Sequence, residues 1–470
     1  MDPRPKTSSS DQALDIFLVV LFFVIFTLFC YLVHYPLIIP LYILFLGIYL
    51  NHFKKATARN FINLGFLLTL IIFVTEMVKQ YSDLPPFYIP VAAIAMLTML
   101  LFNDLQLAFI MSFIASTLVS LILGGDFGMM LIFFLGSLTG AYIVRDAQMR
   151  GKLIISGFFV SLINIVCLVL LNPQQDLVVT KRLLVHYLYP LMANGLISSF
   201  IVVATLKIFE SAFRVLTNFS LVELTDRNQP LLKRMALEAP GTWQHSLIVG
   251  QLTESAAEAI GANALLARAG AYYHDIGKLE KPDYFTENQS LGDNKHDAIE
   301  PSMSRLIILN HVKEGVELAK KHKINPLIID FIPQHHGTSL MHYFYQRALE
   351  ESKEDEEVNE NDFRYPGPKP QSKETAITLL ADSVEGATRV LEDPVPTRIE
   401  ETVRKVTNNK FIDGQLDECN LTLKEIEKIC STFTRILSAI YHGRVKYPEK
   451  KNGHSSRKPS EKSSTQSPPD

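Results

Sequence analysis

The sequence predicts an all-α protein in two parts: a polytopic bundle of transmembrane helices, then a helical domain in water. Three observations predict it. Charge is unevenly spread over the 470 residues: 1–209 hold 12 Lys/Arg and 9 Asp/Glu, and 210–470 hold the other 33 and 39. The first part divides into apolar runs of the length a helix needs to cross a hydrocarbon core of ~30 Å. The second part shows helical periodicity and no strand-like alternation of useful length. Together with a mean hydropathy of +0.16, this excludes a wholly soluble protein and disorder beyond short segments. A formal net charge of −3 gives no basis for bulk binding of DNA or RNA.

After a tail over 1–15, the transmembrane region is expected over 16–209. The candidate spans are Ile16–Val33, Leu37–Leu50, Phe61–Val78, Phe87–Phe102, Leu105–Leu123, Phe127–Val144, Leu153–Leu171 and Leu183–Ile208. The second is short and begins between Pro36 and Pro40, so it is a full span, a re-entrant piece or half of a hairpin, and the count is seven or eight. Loop charge orients the bundle. Lys54, Lys55 and Arg59 follow the second span and Arg145, Arg150 and Lys152 follow the sixth, so both loops are read as cytoplasmic, with both termini if there are eight spans. Ser82–Pro86, Gly124–Asp126 and Asn172–Thr180 are read as outside, against which Lys181 and Arg182 run. No small-residue cleavage site follows the first span, so it is not a signal peptide. Only Glu76 is an ionisable residue clearly within a span, and Asp104 and Asp126 fall in tight loops, which favours an anchor over a transport path.

A linker helix is expected over 210–232, a soluble domain over 233–447 and a Pro/Ser/Lys tail over 448–470. Within the domain, Glu254–Ala271 reads as helix, divided at Gly261 and Asn263. Ala319–Ile332 reads as helix interrupted or restarted at Pro326, and Glu374–Leu391, Thr397–Asn408 and Leu423–Tyr441 read as further helices. Glu350–Asp362 is acidic and runs into a Pro/Gly-rich loop over 364–370. Four cysteines without CxxC or zinc-type spacing exclude a disulfide scaffold.

The chemistry lies in where the histidines fall. His245, His274-Asp275, His311, His335-His336 and Asp382 occupy one helical domain. Imidazole and carboxylate together suit Fe, Mn or Zn. Neighbouring residues on a helix point about 100° apart, so each pair reaches one site only where helix ends converge. Gly277 and Gly337 follow the pairs, where such endings are expected. A single His on a helix is more often a surface or core residue; His322 and His342 fit that description. The combined pattern is far more specific than any one residue.

His274-Asp275-Ile276-Gly277-Lys278 resembles the signature of the HD phosphohydrolase superfamily. Ala239–Ser246, Gly270–Tyr273, Pro282–Gln289, His335–Thr338 and Phe363–Pro368 resemble one subgroup: bacterial multi-span membrane proteins with an intracellular HD domain, cyclic di-AMP phosphodiesterases of the PgpH type. The resemblance covers about residues 61–445 and is most specific in 239–390. It implies a cytoplasmic all-helical HD domain at the bacterial inner membrane, opening cyclic di-AMP to linear pApA with two divalent ions, iron or manganese. Carried over, His245, His274, Asp275 and Asp382 would hold one ion, Asp275 would bridge, and His311, His335 and His336 would complete the second. Asp275 and Lys278 would carry catalysis, with Lys278 facing a phosphate; Asn288, Thr338 and Arg389 match positions near the substrate. The expected partners are the cyclic dinucleotide and the bilayer, with no DNA or RNA; oligomerisation is left open.

Two departures stand out. Family members carry a large external domain ahead of most spans, and only a few residues around His34–Pro36 occupy that place here, so the domain was lost or the chain starts late. Trp243, the only Trp, stands where the family has Tyr. Related cyclic di-GMP hydrolases carry a Gly-Tyr-Pro motif after the His pair, and here Gly337-Thr338-Ser339-Leu340-Met341 follows, which favours cyclic di-AMP. The alternatives are a nucleotide-sensing receptor without turnover and an HD phosphohydrolase acting on another nucleotide such as cyclic di-GMP.

Overall fold

A computed structural model describes Gly47 and residues 58–171, 183–289, 294–351 and 358–441. The expected spans Ile16–Val33 and, Gly47 apart, Leu37–Leu50 lie outside these residues, as do both tails, the loop Asn172–Thr180, and Lys54, Lys55, Lys181 and Arg182. Every regular element among the described residues is helical, apart from one isolated antiparallel bridge between Leu340 and Arg364.

The apolar part contains α1 (Ala58–Tyr81), α2 (Val91–Phe102), α3 (Leu105–Ile122), α4 (Phe127–Val144), α5 (Arg150–Leu171) and α6 (Tyr189–Phe213), the last extended by a π turn over Leu184–Leu188. Five helices are long and apolar enough to cross a membrane, and α2 is not among them. The count of seven or eight spans is therefore not reached among the described residues. The span expected over Phe87–Phe102 is present as a shorter apolar helical segment, Pro86–Phe102. Pro85, Pro86 and Pro90 confine its first residues to a 3₁₀ turn, Pro86–Tyr88, and leave an α-helix of 12 residues. At 1.5 Å per residue that is ~18 Å, well short of the hydrocarbon core. All residues of α2 from Val91 to Leu101 are buried, so this short helix is the centre of the bundle, packed by α3, α4 and α6. A helix that is apolar all round is either a core helix or a membrane span enclosed by others, and hydropathy does not separate the two.

The two acids read as loop residues cap helices. Asp104 accepts from the backbone N–H of Gln106 and Leu107 at the start of α3, and Asp126 from Met129 at the start of α4. Helices α5 and α6 meet at Gly157 and Gly195, where a Cβ on Gly157 would stand 2.5 Å from the Gly195 carbonyl oxygen. Ser161 and Ser199, each four residues on, donate to the Met192 and Leu153 carbonyls across the same seam. Small residues four apart are the usual means of close approach where lipid gives no hydrophobic drive.

The stretch 210–232, expected as one linker helix, is broken. Helix α6 ends at Phe213, and α7 (Asn218–Leu224) and α8 (Pro230–Glu238) follow as separate pieces. Glu210 near the end of α6 accepts from Thr217 and Ser220, which turns the chain into α7. Then come α9 (Pro240–Ile260) and α10 (Ala264–Tyr273), divided as expected: Gly261 takes φ +74° and Asn263 caps α10. Helix α11 (Pro301–Lys321) leads to two single turns, α12 (Pro326–Ile329) and α13 (Phe331–Gln334), so Pro326 starts a new turn. Next are α14 (His342–Glu351), α15 (Lys373–Arg389), α16 (Pro396–Ile412) and α17 (Leu423–Tyr441). Their core joins Val249, Leu252 and Ala256 of α9 to Leu380 and Val384 of α15 and Phe433 and Leu437 of α17.

Candidate metal centre

The seven expected ligands come from five places in the chain, and the fold brings them together. His245 lies in α9, His311 in α11 and Asp382 in α15; His274-Asp275 follow α10 directly, and His335-His336 follow α13. Both pairs thus stand where a helix ends, which lets adjacent side chains turn toward one point. Gly277 makes the approach possible: a Cβ there would sit 1.8 Å from the His311 carbonyl oxygen, so any side chain would push α11 away from the His-Asp turn.

The ligand atoms fall into two groups, His245, His274, Asp275 and Asp382 in one, and His311, His335 and His336 in the other. Asp275 joins them. Its Oδ2 lies 3.2 Å from His274 Nε2 and 3.6 Å from His245 Nε2, and its Oδ1 lies 3.5 Å from His311 Nε2 and 3.6 Å from His335 Nε2. Asp382 Oδ1 is 3.1 Å from His245 Nε2, and its Oδ2 is 3.6 Å from His336 Nδ1.

The donor set fits metal on local chemistry. His274 and His335 each place Nδ1 2.6 Å from the carbonyl three residues back, on Ala271 and Ile332, and His311 does the same with Ile308. An Nδ1–H donated there leaves Nε2 as a bare lone pair. These three buried Nε2 atoms and Asp275 Oδ1 have no hydrogen-bond partner, and Asp275 Oδ2 meets the Lys278 ammonium at 2.7 Å. A buried polar atom without a partner is costly, and four acceptors converging on one point suit a bound cation. His245 is held differently: its Nδ1 sits 2.7 Å from Glu385 Oε2, and Arg389 Nη2 lies 2.6 Å from the same oxygen. A carboxylate behind a ligand histidine orients the ring and raises its basicity.

Charge state follows from these contacts. Burial holds His335 down to about 3 and pushes His311 and His336 below the imidazole range. Burial also opposes charge on His245, but hydrogen bonds with Asp382 and Glu385 outweigh it and raise that ring to about 9. Against burial, nearby His274 and Lys278 hold Asp275 well below the carboxylate range, and the hydrogen bond with His245 does the same for Asp382. Lys278 lies 2.7 Å from both Asp275 Oδ2 and Glu287 Oε1. These two acids overcome burial and keep it a firm cation.

The residues expected near the substrate are differently occupied. Asn288 accepts from the Thr242 N–H and donates to the Thr242 hydroxyl and the Pro282 carbonyl, so it fastens a loop to α9. Thr338 bonds Gln415 through its N–H. Arg389 is engaged with Glu385 and lies 2.9 Å from His245 Nδ1, beside the candidate ligands. Sequence reasoning missed Glu385, Glu287 and Tyr365. Glu385 lies three residues after Asp382, one helical turn along, which was a usable signal. Tyr365 stacks on His336 with centroids 4.1 Å apart, and its place in a Pro-rich loop carried no such signal.

Residues 10–217 match the family described as 7TM receptor with intracellular HD hydrolase, and 242–387 match the HD domain family. The chain is 37% identical over 422 residues to a cyclic-di-AMP phosphodiesterase PgpH of Bacillus subtilis, covering 86% of this chain and 59% of that protein. It is 39% identical over 392 residues to the PgpH of Listeria monocytogenes, covering 82% of this chain and 53% of that one. The chain thus spans between half and two thirds of the length of these relatives. A crystal structure of the L. monocytogenes PgpH HD domain in complex with cyclic-di-AMP is 46% identical over 47% of this chain and all of that chain, with a TM-score of 0.44.

Proposed function

We propose, from the premise that the chain belongs to the family of multi-span membrane proteins with an intracellular HD hydrolase domain, that it is a metal-dependent phosphodiesterase opening cyclic di-AMP to linear pApA. The observation that carries the reading is Asp275, whose Oδ2 faces His274 and His245 and whose Oδ1 faces His311 and His335, with the His274, His311 and His335 nitrogens unpartnered. His245, His274, Asp275 and Asp382 would hold one ion, and Asp275, His311, His335 and His336 a second. Bound divalent ions, with iron or manganese as our choice, would supply Lewis acidity and make a water nucleophile available at neutral pH.

The chain's own residues have defined tasks in this reading. Glu385 accepts the Nδ1–H hydrogen bond of His245 and keeps Nε2 aimed at Asp275 and Asp382. Lys278, held as a cation by Asp275 and Glu287, offers a positive point charge to a phosphate oxygen. Tyr365 covers one face of His336, which fixes the ring plane and keeps water from that side. Cyclic di-AMP is favoured over cyclic di-GMP by the activity for which the two relatives are named and by the residues Gly337–Met341 after the His pair.

We place the HD domain in the cytoplasm. Arg150 and Lys207 at the ends of membrane helices reach Glu223 of α7, at 3.6 and 2.9 Å, so the basic ends of α5 and α6 lie on the side of the soluble domain. The test is turnover by the purified full chain with Mn²⁺ or Fe²⁺, using cyclic di-AMP and cyclic di-GMP and identifying the product. Linear pApA from cyclic di-AMP is expected. Nucleotide bound and returned unchanged would replace the reading with that of a sensor, and preferred opening of cyclic di-GMP would overturn the substrate.

A further inference from the structure

Where the last membrane helix meets the HD domain, a cavity of about 650 Å³ at the outer end of the bundle has its counterpart: a second one of about 1110 Å³. This second cavity is walled by the start of α1, the end of α6, α7, and the turn between α11 and α12. Four basic side chains line it, Arg59, Lys207, Arg214 and Lys323, with two acids, Glu210 and Glu223. The acids are already matched. Lys207 lies 2.9 Å from Glu223 and 3.7 Å from Glu210, Arg150 adds a contact to Glu223, and Ser220 donates to Glu210. Arg59, Arg214 and Lys323 have no ion pair with any described residue, so three cations from three separate elements face one space.

Backbone conformation adds an independent observation. Only three described residues other than glycine have positive φ: Asn103, Arg214 at 53° and Lys323 at 56°. Asn enters that region readily, whereas Arg and Lys rarely do, and glycine is the usual residue just past a helix end. Arg214 follows α6 and Lys323 follows the residue that ends α11. A cation suits the end of either helix dipole. That accounts for charge at each end, and leaves unexplained why both ends, with Arg59, open on the same cavity.

Position selects the kind of anion. Arg59, Lys207 and Arg214 stand at the ends of apolar helices, hence at the bilayer–water boundary. Pro326 and Leu327 line the same cavity, and Leu327 is half exposed. Phe66 of α1, half exposed as well, packs edge-on against Phe209 and Phe213 close by. We propose that this cavity binds the phosphate headgroup of an anionic phospholipid, with its apolar rim against the lipid's glycerol and upper chains. The headgroup would link α1 and α6 to the α11–α12 turn of the HD domain. The proposal rests on the membrane reading and is independent of the hydrolase reading.

Glycine substitutions give the test, because they remove the cations at two positions where glycine suits the backbone. The full chain in detergent is heated with added phosphatidylglycerol, phosphatidylcholine or inorganic phosphate, and lipid retention is measured by native mass spectrometry. Phosphatidylglycerol should raise the Tm and be retained; phosphatidylcholine and inorganic phosphate should do neither. The double variant Arg214→Gly/Lys323→Gly should keep the lipid-free Tm and retain phosphatidylglycerol about 30-fold less well, at about fivefold for each basic residue near an anionic surface. Equal retention of both lipids, undiminished phosphatidylglycerol binding by the double variant, or an equal response to inorganic phosphate would overturn the proposal. A double variant with a lowered lipid-free Tm would assign the two residues to the fold and overturn it also.

Discussion

In the membrane bundle, Asn194 donates to the carbonyls of Phe87 and Ile89 at 3.0 and 2.7 Å and accepts from Asn164 at 3.2 Å. In the HD domain, His274, His311 and His335 turn equally buried nitrogens toward Asp275, and these nitrogens have no hydrogen-bond partner. The bundle has orphans of its own, on Asn63, Ser116, Ser137, Asn164 and Ser198, but these are neutral groups on five separate helices. The HD domain has scattered orphans too, on Ser246, Arg268, His296, Ser304, Arg305 and Thr407, but those of His274, His311, His335 and Asp275 are lone pairs and a carboxylate that meet. The difference teaches that convergence, more than the count of unpartnered atoms, marks a site. Scattered hydroxyls are local costs of packing, whereas converging acceptors define a missing cation.

The sharpest attempt to break this contrast removes the joint. Asp275→Ala should abolish both metal content and turnover, by more than about 100-fold, since an outer partner of a metal site alone is worth about 10–100-fold. Elemental analysis beside kcat/KM reads it; full activity with both ions retained would end the assignment. A smaller loss is expected one contact further out. Glu385→Gln should weaken metal binding or activity about 10–100-fold, because an amide oxygen orients His245 less firmly. An unchanged metal affinity would mean that the His245 ring is held by packing alone.

The bundle is probed by overpacking. Gly157→Ala should destabilise the full chain by about 1–3 kcal/mol, because the new Cβ meets the Gly195 carbonyl and the Ser199 side chain. The kcat/KM of the folded fraction should stay level; a matching fall would show that the two halves are coupled and not merely joined.

The smallest effect concerns protons. In the metal-free chain His245 is raised from 6.5 to about 9, chiefly by Asp382 and Glu385 against burial. A raised folded-state pKa means that this ion-paired network stabilises the metal-free fold fully below about 6.5 and that the contribution is lost as pH rises through about 9. Metal requires the neutral ring. Affinity at the His245 group should therefore rise with pH across that window, by about tenfold per unit for one displaced proton. The group around His335, already neutral by burial, should be flat there. Calorimetry in buffers of different ionisation enthalpy counts the protons; equal release at both groups would contradict the contrast.

Much of this molecule is legible in the chain because periodicity and charge are local properties. The five long apolar helices, the break at Gly261 and Asn263, and the restart at Pro326 each follow from side chains within a few residues. The convergence of His245, His274-Asp275, His311, His335-His336 and Asp382 was legible too, through residue type and a family resemblance. Glu385 escaped although it lies on the same helix as Asp382, since an acid on an amphipathic helix is most often solvated. Asn288, Thr338 and Arg389 were placed near substrate, and their partners turned out to be Thr242, Gln415 and Glu385.

The sequence by itself determined which segments can bury themselves in lipid, which end as helices, and which residue types can hold a metal, because each depends on composition and spacing along the chain. Only the tertiary structure decided that α2 is the buried centre of the bundle, and that Asp275 faces two sets of imidazoles. It alone placed Arg59, Arg214 and Lys323 on one cavity. Those outcomes depend on what packs against a residue from distant parts of the chain, and burial on all sides, shared orientation and charge convergence have no counterpart in local spacing.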